Sequence, residues 1–146
     1  MEIKVGIGLD NIVFGMLQDE VIGILGEPDK ISETENSYGI IYYFNNLLTK
    51  VGFDIEKDNK LYSIEVHHPE VVLFNTKVIG MKKSEVLNLL KAYGYSDVMH
   101  EDYETFETIF CEEIWSTFSF EFDRLTNIEF SPLYKNKDDI IWPKKL

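Results

Sequence analysis

The sequence repeats itself. Ile12-Val13-Phe14-Gly15-Met16, followed by Glu20-Val21 and Leu25, returns as Lys77-Val78-Ile79-Gly80-Met81, followed by Glu85-Val86 and Leu90, at an offset of 65 residues. Phe53-Asp54-Ile55-Glu56 corresponds to Phe118-Ser119-Phe120-Glu121 at the same offset, and Leu61, Ile64, Glu65 and Val66 to Leu125, Ile128, Glu129 and Phe130 at 64. One residue is lost in the turn between, where Lys57-Asp58-Asn59-Lys60 faces Phe122-Asp123-Arg124. Matches at both ends of a unit, in one order and nearly one spacing, point to two copies of one supersecondary unit. The expectation is one domain over 1–146, built from repeats at about 5–70 and 71–134 with a tail at 135–146.

Each copy reads as a short helix followed by strands. After the Gly-Met step, Val21, Ile24 and Leu25 in one copy and Val86, Leu87, Leu89 and Leu90 in the other recur at helical spacing. Asp19 and Glu20 suit the first turn. Gly26 with Pro28, and Gly94, provide the stops. Predicted strands are 38–45, 48–56 and 61–67, then 103–111, 115–123 and 125–131. Val51, Phe53 and Ile55 alternate with Gly52, Asp54 and Glu56; Phe118, Phe120 and Phe122 alternate with Ser119, Glu121 and Asp123. Period-two alternation means one packed and one wet sheet face. The fold class expected is α+β, a curved antiparallel sheet with the helices on one face.

Composition narrows the function. The chain has 146 residues, 45% of them apolar, which is enough to build a core and argues against disorder. Acidic residues number 26 against 14 basic ones, a net charge of −12, and Arg124 is the only arginine. Phosphate neutralisation needs clustered Lys and Arg, so nucleic acid is not an expected partner. No apolar run approaches the ~20 residues of a membrane span. The start, Met1-Glu2-Ile3-Lys4-Val5-Gly6, lacks the pattern of a secretory signal. A single cysteine, Cys111, cannot form an internal disulfide. A cytoplasmic chain is expected, with Cys111 as a small core residue in surroundings that raise a thiol pKa.

The run Phe14-Gly15-Met16, Glu20-Val21 and Leu25-Gly26-Glu27-Pro28-Asp29 resembles the signature that opens the repeat of the β-lactamase-inhibitor-protein-like superfamily. The second copy keeps Gly80-Met81 and Glu85-Val86 but has Tyr93-Gly94-Tyr95 at the helix end. The resemblance implies a concave antiparallel sheet backed by short helices. In the inhibitor, that sheet grips a partner protein. Similar domains occur among bacterial cytoplasmic immunity proteins, which neutralise toxins.

Chemistry is sparse. His67-His68-Pro69-Glu70 is the most tempting metal cluster, but neighbouring strand residues point to opposite faces and cannot easily share an ion. Gly6-Ile7-Gly8 is a turn or strand start, not a phosphate loop. No catalytic residue, cofactor site or metal site is assigned.

The acids are more informative. Ala92 to Asp123 holds no Lys or Arg, but nine Asp and Glu: Asp97, Glu101, Asp102, Glu104, Glu107, Glu112, Glu113, Glu121 and Asp123. Such a stretch is a solvated surface or an electrostatic bait for a basic partner. The candidate partner-binding set is Tyr43, Asp54, Glu56, Glu65, His67, Tyr103, Glu121, Asp123 and Glu129. The expected activity is a non-catalytic protein-binding module acting through an acidic sheet face. Its partner is a basic protein, a toxin among the candidates, and the chain itself is a monomer or weak dimer. The alternatives are a small-molecule-binding or enzymatic α+β domain, and a structural assembly module. In the tail, Ile141 and Trp142 are expected to pack on the body and Lys144-Lys145 to be free.

Overall fold

Burial alternates residue by residue along the long strands, and that alternation organises the molecule. The structure, a computed structural model, describes residues 1–35 and 38–144. The elements are β1 (Ile3–Lys4), β2 (Gly8–Leu9), β3 (Ile12–Val13), α1 (Gln18–Leu25), β4 (Lys30–Glu33), β5 (Gly39–Phe44), β6 (Thr49–Asp54), β7 (Lys60–Val66), β8 (Val72–Leu73), β9 (Thr76–Lys77), α2 (Lys83–Ala92), β10 (Met99–Asp102), β11 (Glu107–Cys111), β12 (Ser116–Glu121) and β13 (Arg124–Phe130). The protein is α+β. Its main sheet has eight strands in the order β10-β11-β12-β13-β7-β6-β5-β4, all neighbours antiparallel. That order is a palindrome about the β7–β13 seam.

The repeated Gly-Met…Glu pattern has a physical explanation. Gly15 and Gly80 adopt the left-handed region, with φ of 97° and 91°. The Gly15 amide donates to the Leu61 carbonyl (2.9 Å) and the Leu61 amide to the Met16 carbonyl (2.8 Å). On the other side, the Gly80 amide donates to Leu125 (2.8 Å) and the Leu125 amide to Met81 (2.9 Å). Each helix start is thereby pinned to the last strand of its own half. The glutamate then caps the helix. Glu20 accepts from the Leu17 amide and Glu85 from the Lys82 amide, each at 3.0 Å, which satisfies a backbone donor at the helix entrance. The helices begin at Gln18 and Lys83, two residues beyond the Gly-Met step.

The core is aromatic and aliphatic. Phe14, Phe53, Phe118, Phe120 and Phe130 are fully buried, and Val21 of α1 and Val86 and Leu90 of α2 belong to the same cluster. Cys111 is buried with them, and burial pushes its thiol pKa up. No helix among the described residues is long and apolar enough to cross a membrane.

Several expectations are corrected. Val51 pairs with Ile64 and Phe53 with Leu61, while Phe118 pairs with Ile128 and Phe120 with Leu125. By register Phe53 therefore answers Phe120, not Phe118. Asp54 opposite Lys60, rather than Glu56, answers Glu121 opposite Arg124. Ile55 and Phe122 do not face the core: they are 49% and 99% exposed. Both lie past the strand ends, where a 3-10 turn (Ile55–Lys57) and a two-residue hairpin turn break the alternation. The edge strands β4 and β10 were not expected. In the tail, Trp142 packs partly on the body, but Ile141 is 49% exposed. Lys144 is exposed, and Lys145 lies outside the described residues.

Candidate functional site on the outer sheet face

The face opposite the core carries one residue from every strand in a single cross-strand row. It runs Lys30, Tyr43, Lys50, Glu65, Glu129, Thr117, Phe110 and Met99. The palindromic order puts Glu65 directly opposite Glu129 at the seam. Like charges in that position destabilise a sheet.

Compensation is uneven. Lys50 Nζ lies 3.2 Å from Glu65, and His67 Nε2 lies 2.7 Å from the same carboxylate. Glu129 has no hydrogen bond or ion pair among the described residues. Burial, and then the Glu65 charge, raise its pKa, with Lys50 acting in the opposite direction. By surface area, however, Glu129 is an exposed residue, more open than Glu65. Water on that side screens the charge and limits the cost. Beside the acids, Tyr43 is flanked by Lys30 and Lys50, whose Nζ atoms lie 5.1 and 5.7 Å from its ring centre.

Next to the seam the sheet surface dips. A recess of about 250 Å³ is lined by residues including Ile41, Gly52, Asp54, Tyr62, Ser63 and Glu129. Gly52 makes part of that room, since a Cβ there would sit 2.4 Å from Ser63 Oγ. The Tyr62 hydroxyl is hydrogen-bonded to that of Tyr134. Burial and that bond push its pKa well up, so Tyr62 stays a neutral phenol.

The nine candidate residues fall into separate groups. Tyr43, Glu65, His67 and Glu129 come together on the outer face. Asp54 shares the recess with Glu129, but its carboxylate is occupied by Lys57 (3.1 Å) and by the Glu56 amide (2.9 Å). Glu56 is exposed in the 3-10 turn. Glu121, Asp123 and Tyr103 lie at the opposite end of the sheet. Glu121 is exposed beside the β12–β13 turn, and Asp123 accepts from the Lys83 amide (3.3 Å). Tyr103 stacks on Phe106 at 4.6 Å in the β10–β11 connection and bonds Glu101. Sequence reasoning missed Lys50, Gly52, Tyr62 and Ser63. Lys50 was findable, because it alternates with Val51 in a predicted strand. Among the described residues no three His, Cys, Asp or Glu side chains group as metal ligands.

No protein-family model matches the chain, and no curated protein sequence matches it. Among solved structures, it is similar to a DUF4309 family protein from Bacillus subtilis. The TM-score is 0.50 and the identity 16%, over 87% of this chain and 82% of that one. At that identity the likeness is one of fold. An extracellular protein containing an SCP domain from Bacillus anthracis also matches, with a TM-score of 0.49 and 16% identity over 81% of this chain. There the chain spans 43% of the other protein's length.

Proposed function

We propose that this chain is a non-catalytic protein-binding module of the β-lactamase-inhibitor-like kind, acting as a toxin-neutralising immunity protein. It covers a basic partner with its outer sheet face. The observation that carries this reading is the Glu65–Glu129 pair at the centre of that face, with one carboxylate lacking a cation. Such a pair costs the isolated fold something, and a positive partner relieves it. The palindromic strand order supports a duplicated unit in one domain, and the burial of Val21, Val86 and Leu90 in the core supports helices on the other face of a curved sheet. The chain works in the cytoplasm as a monomer or weak dimer, without nucleic acid or membrane.

The test is capture of a stoichiometric partner from the native host, followed by charge reversal. Glu65→Lys with Glu129→Lys is expected to weaken binding at least tenfold and to flatten its salt dependence. Glu121→Lys, at the far end of the sheet, serves as the control with a small effect. Unchanged affinity in the double variant would sink this face as the site. A second reading, a small-molecule or enzymatic site, is favoured by the raised Glu129 pKa within the recess. The recess is small for it, since ligand pockets run to about 300–1,000 Å³.

A further inference from the structure

Two corresponding surfaces flank the seam, and the chain lays an aromatic ring of its own against only one of them. On the second side, Trp115 is the left-handed residue (φ 46°) between β11 and β12. Its ring meets Phe110 edge-on at 5.4 Å, and Tyr134 lies against it at 5.0 Å. The segment after β13 delivers that tyrosine. Ser131 donates its amide to the Trp115 carbonyl (3.2 Å), and Tyr134 bridges to Ile140.

On the first side, Leu48 holds the same left-handed place (φ 47°) between β5 and β6. Tyr43 stands where Phe110 stands. His67 donates its amide to the Leu48 carbonyl (2.8 Å), as Ser131 does to Trp115. Here, however, the chain continues to Val72, whose amide bonds Met1. Leu48 is left 49% exposed, and with Tyr43, Lys50 and His67 it walls an open groove of about 390 Å³.

We infer that this groove seats an aromatic side chain of the partner protein, with a neighbouring lysine or arginine reaching Glu129. The inference rests on the protein-binding reading above and names its contact. The aromatic is argued from Tyr134, which lies against Trp115 on the corresponding surface and forms one wall of a recess of about 660 Å³. The cation is argued from charge: Lys50 pairs with Glu65, to which His67 is also hydrogen-bonded, so Glu129 is the carboxylate left over. Glu129 lies two strands from Lys50, roughly 10 Å at ~4.8 Å per strand, within reach of a long basic side chain. The chain's own covering segment has this chemistry, an aromatic followed by a base at Tyr134-Lys135.

The probe is a synthetic peptide with the sequence of residues 131–137, titrated into isotope-labelled full-length protein and followed by NMR. Saturable shifts are expected at the Leu48, Lys50 and His67 amides, with a Kd on the order of 1 mM. A peptide with alanine for the tyrosine, or glutamate for the first lysine, should bind at least fivefold more weakly. Leu48→Asn keeps a residue that tolerates the left-handed backbone. It should abolish the shifts while leaving the Tm unchanged. Shifts confined to Trp115 and Tyr62, or none at all, would overturn the inference. The two readings fail separately. If Leu48→Asn leaves these shifts intact while the Glu65/Glu129 reversal still weakens partner capture, only the groove contact falls.

Discussion

The β6–β7 and β12–β13 hairpins hold corresponding places in the sheet and close in different ways. The first spends five residues between Asp54 and Lys60; the second spends two between Glu121 and Arg124. In the first, Asp58 and Asn59 take the left-handed positions, with φ of 57° and 58°, as suits residues that tolerate that region. In the second, Phe122 and Asp123 do so at 50° and 58°, with the phenylalanine in open solvent. Yet the strands behind both turns match. Each pair has an irregularity at the same step, between Gly52 and Phe53 and between Ser119 and Phe120. Register is therefore set by the buried aromatics and the bulge, while the turn is free to vary.

Truncating those aromatics tests the equivalence most severely. Phe53→Ala and Phe120→Ala should each cost about 3–5 kcal/mol, read by urea denaturation in a single transition. Two transitions, or a large inequality, would show that the halves fold separately. The next contrast is at the position before each aromatic. Gly52→Ala brings a Cβ to 2.4 Å from Ser63 Oγ, a hydroxyl that can swing aside, and should cost about 1 kcal/mol or less, recovered by Ser63→Ala. Ser119 already carries a Cβ, so Ser119→Ala should fall within about 0.5 kcal/mol. A neutral Gly52→Ala would mean that the two sides pack alike there.

The smallest effect is at the seam. In the fold the Glu129 carboxyl titrates above its ordinary value, so ionising it costs the folded chain what the unfolded chain escapes. Wild-type stability should therefore fall as pH rises from the unfolded carboxyl pKa through the folded one. Glu129→Gln should lack that fall and be more stable near neutrality by about 0.2–1 kcal/mol. Denaturation at about pH 4 and about pH 7 measures both. A Gln variant that is less stable at neutral pH would mean Glu129 is held by a favourable partner.

The inner strands were legible because Val51, Phe53, Ile64 and Val66 alternate with polar residues, and the helices because Gly-Met and glutamate recur. The edge strands were not. Lys30–Glu33 and Met99–Asp102 pair on one side only and bury little, so no alternation marks them. Phe122 and Ile55 misled for the converse reason: they continue a period whose strand has already ended. The site was half legible. Equivalent glutamates are visible in a repeat, but only the antiparallel seam makes Glu65 and Glu129 neighbours. The groove depends on where the segment after β13 lays Tyr134, and no local pattern encodes that.

The seam is also a mechanical line. Its strands meet in three residue pairs, where β6 and β7 meet in six. On the core side Ile64, Val66, Ile128 and Phe130 are buried and act as the adhesive. On the outer side the two carboxylates act as a wedge. Folding the halves toward the outer face drives those charges together, and a cation placed between them removes the resistance. Salt that screens the two carboxylates is expected to lower the resistance to bending across the seam, and hydrogen exchange of the β7 and β13 amides at low and high salt measures it.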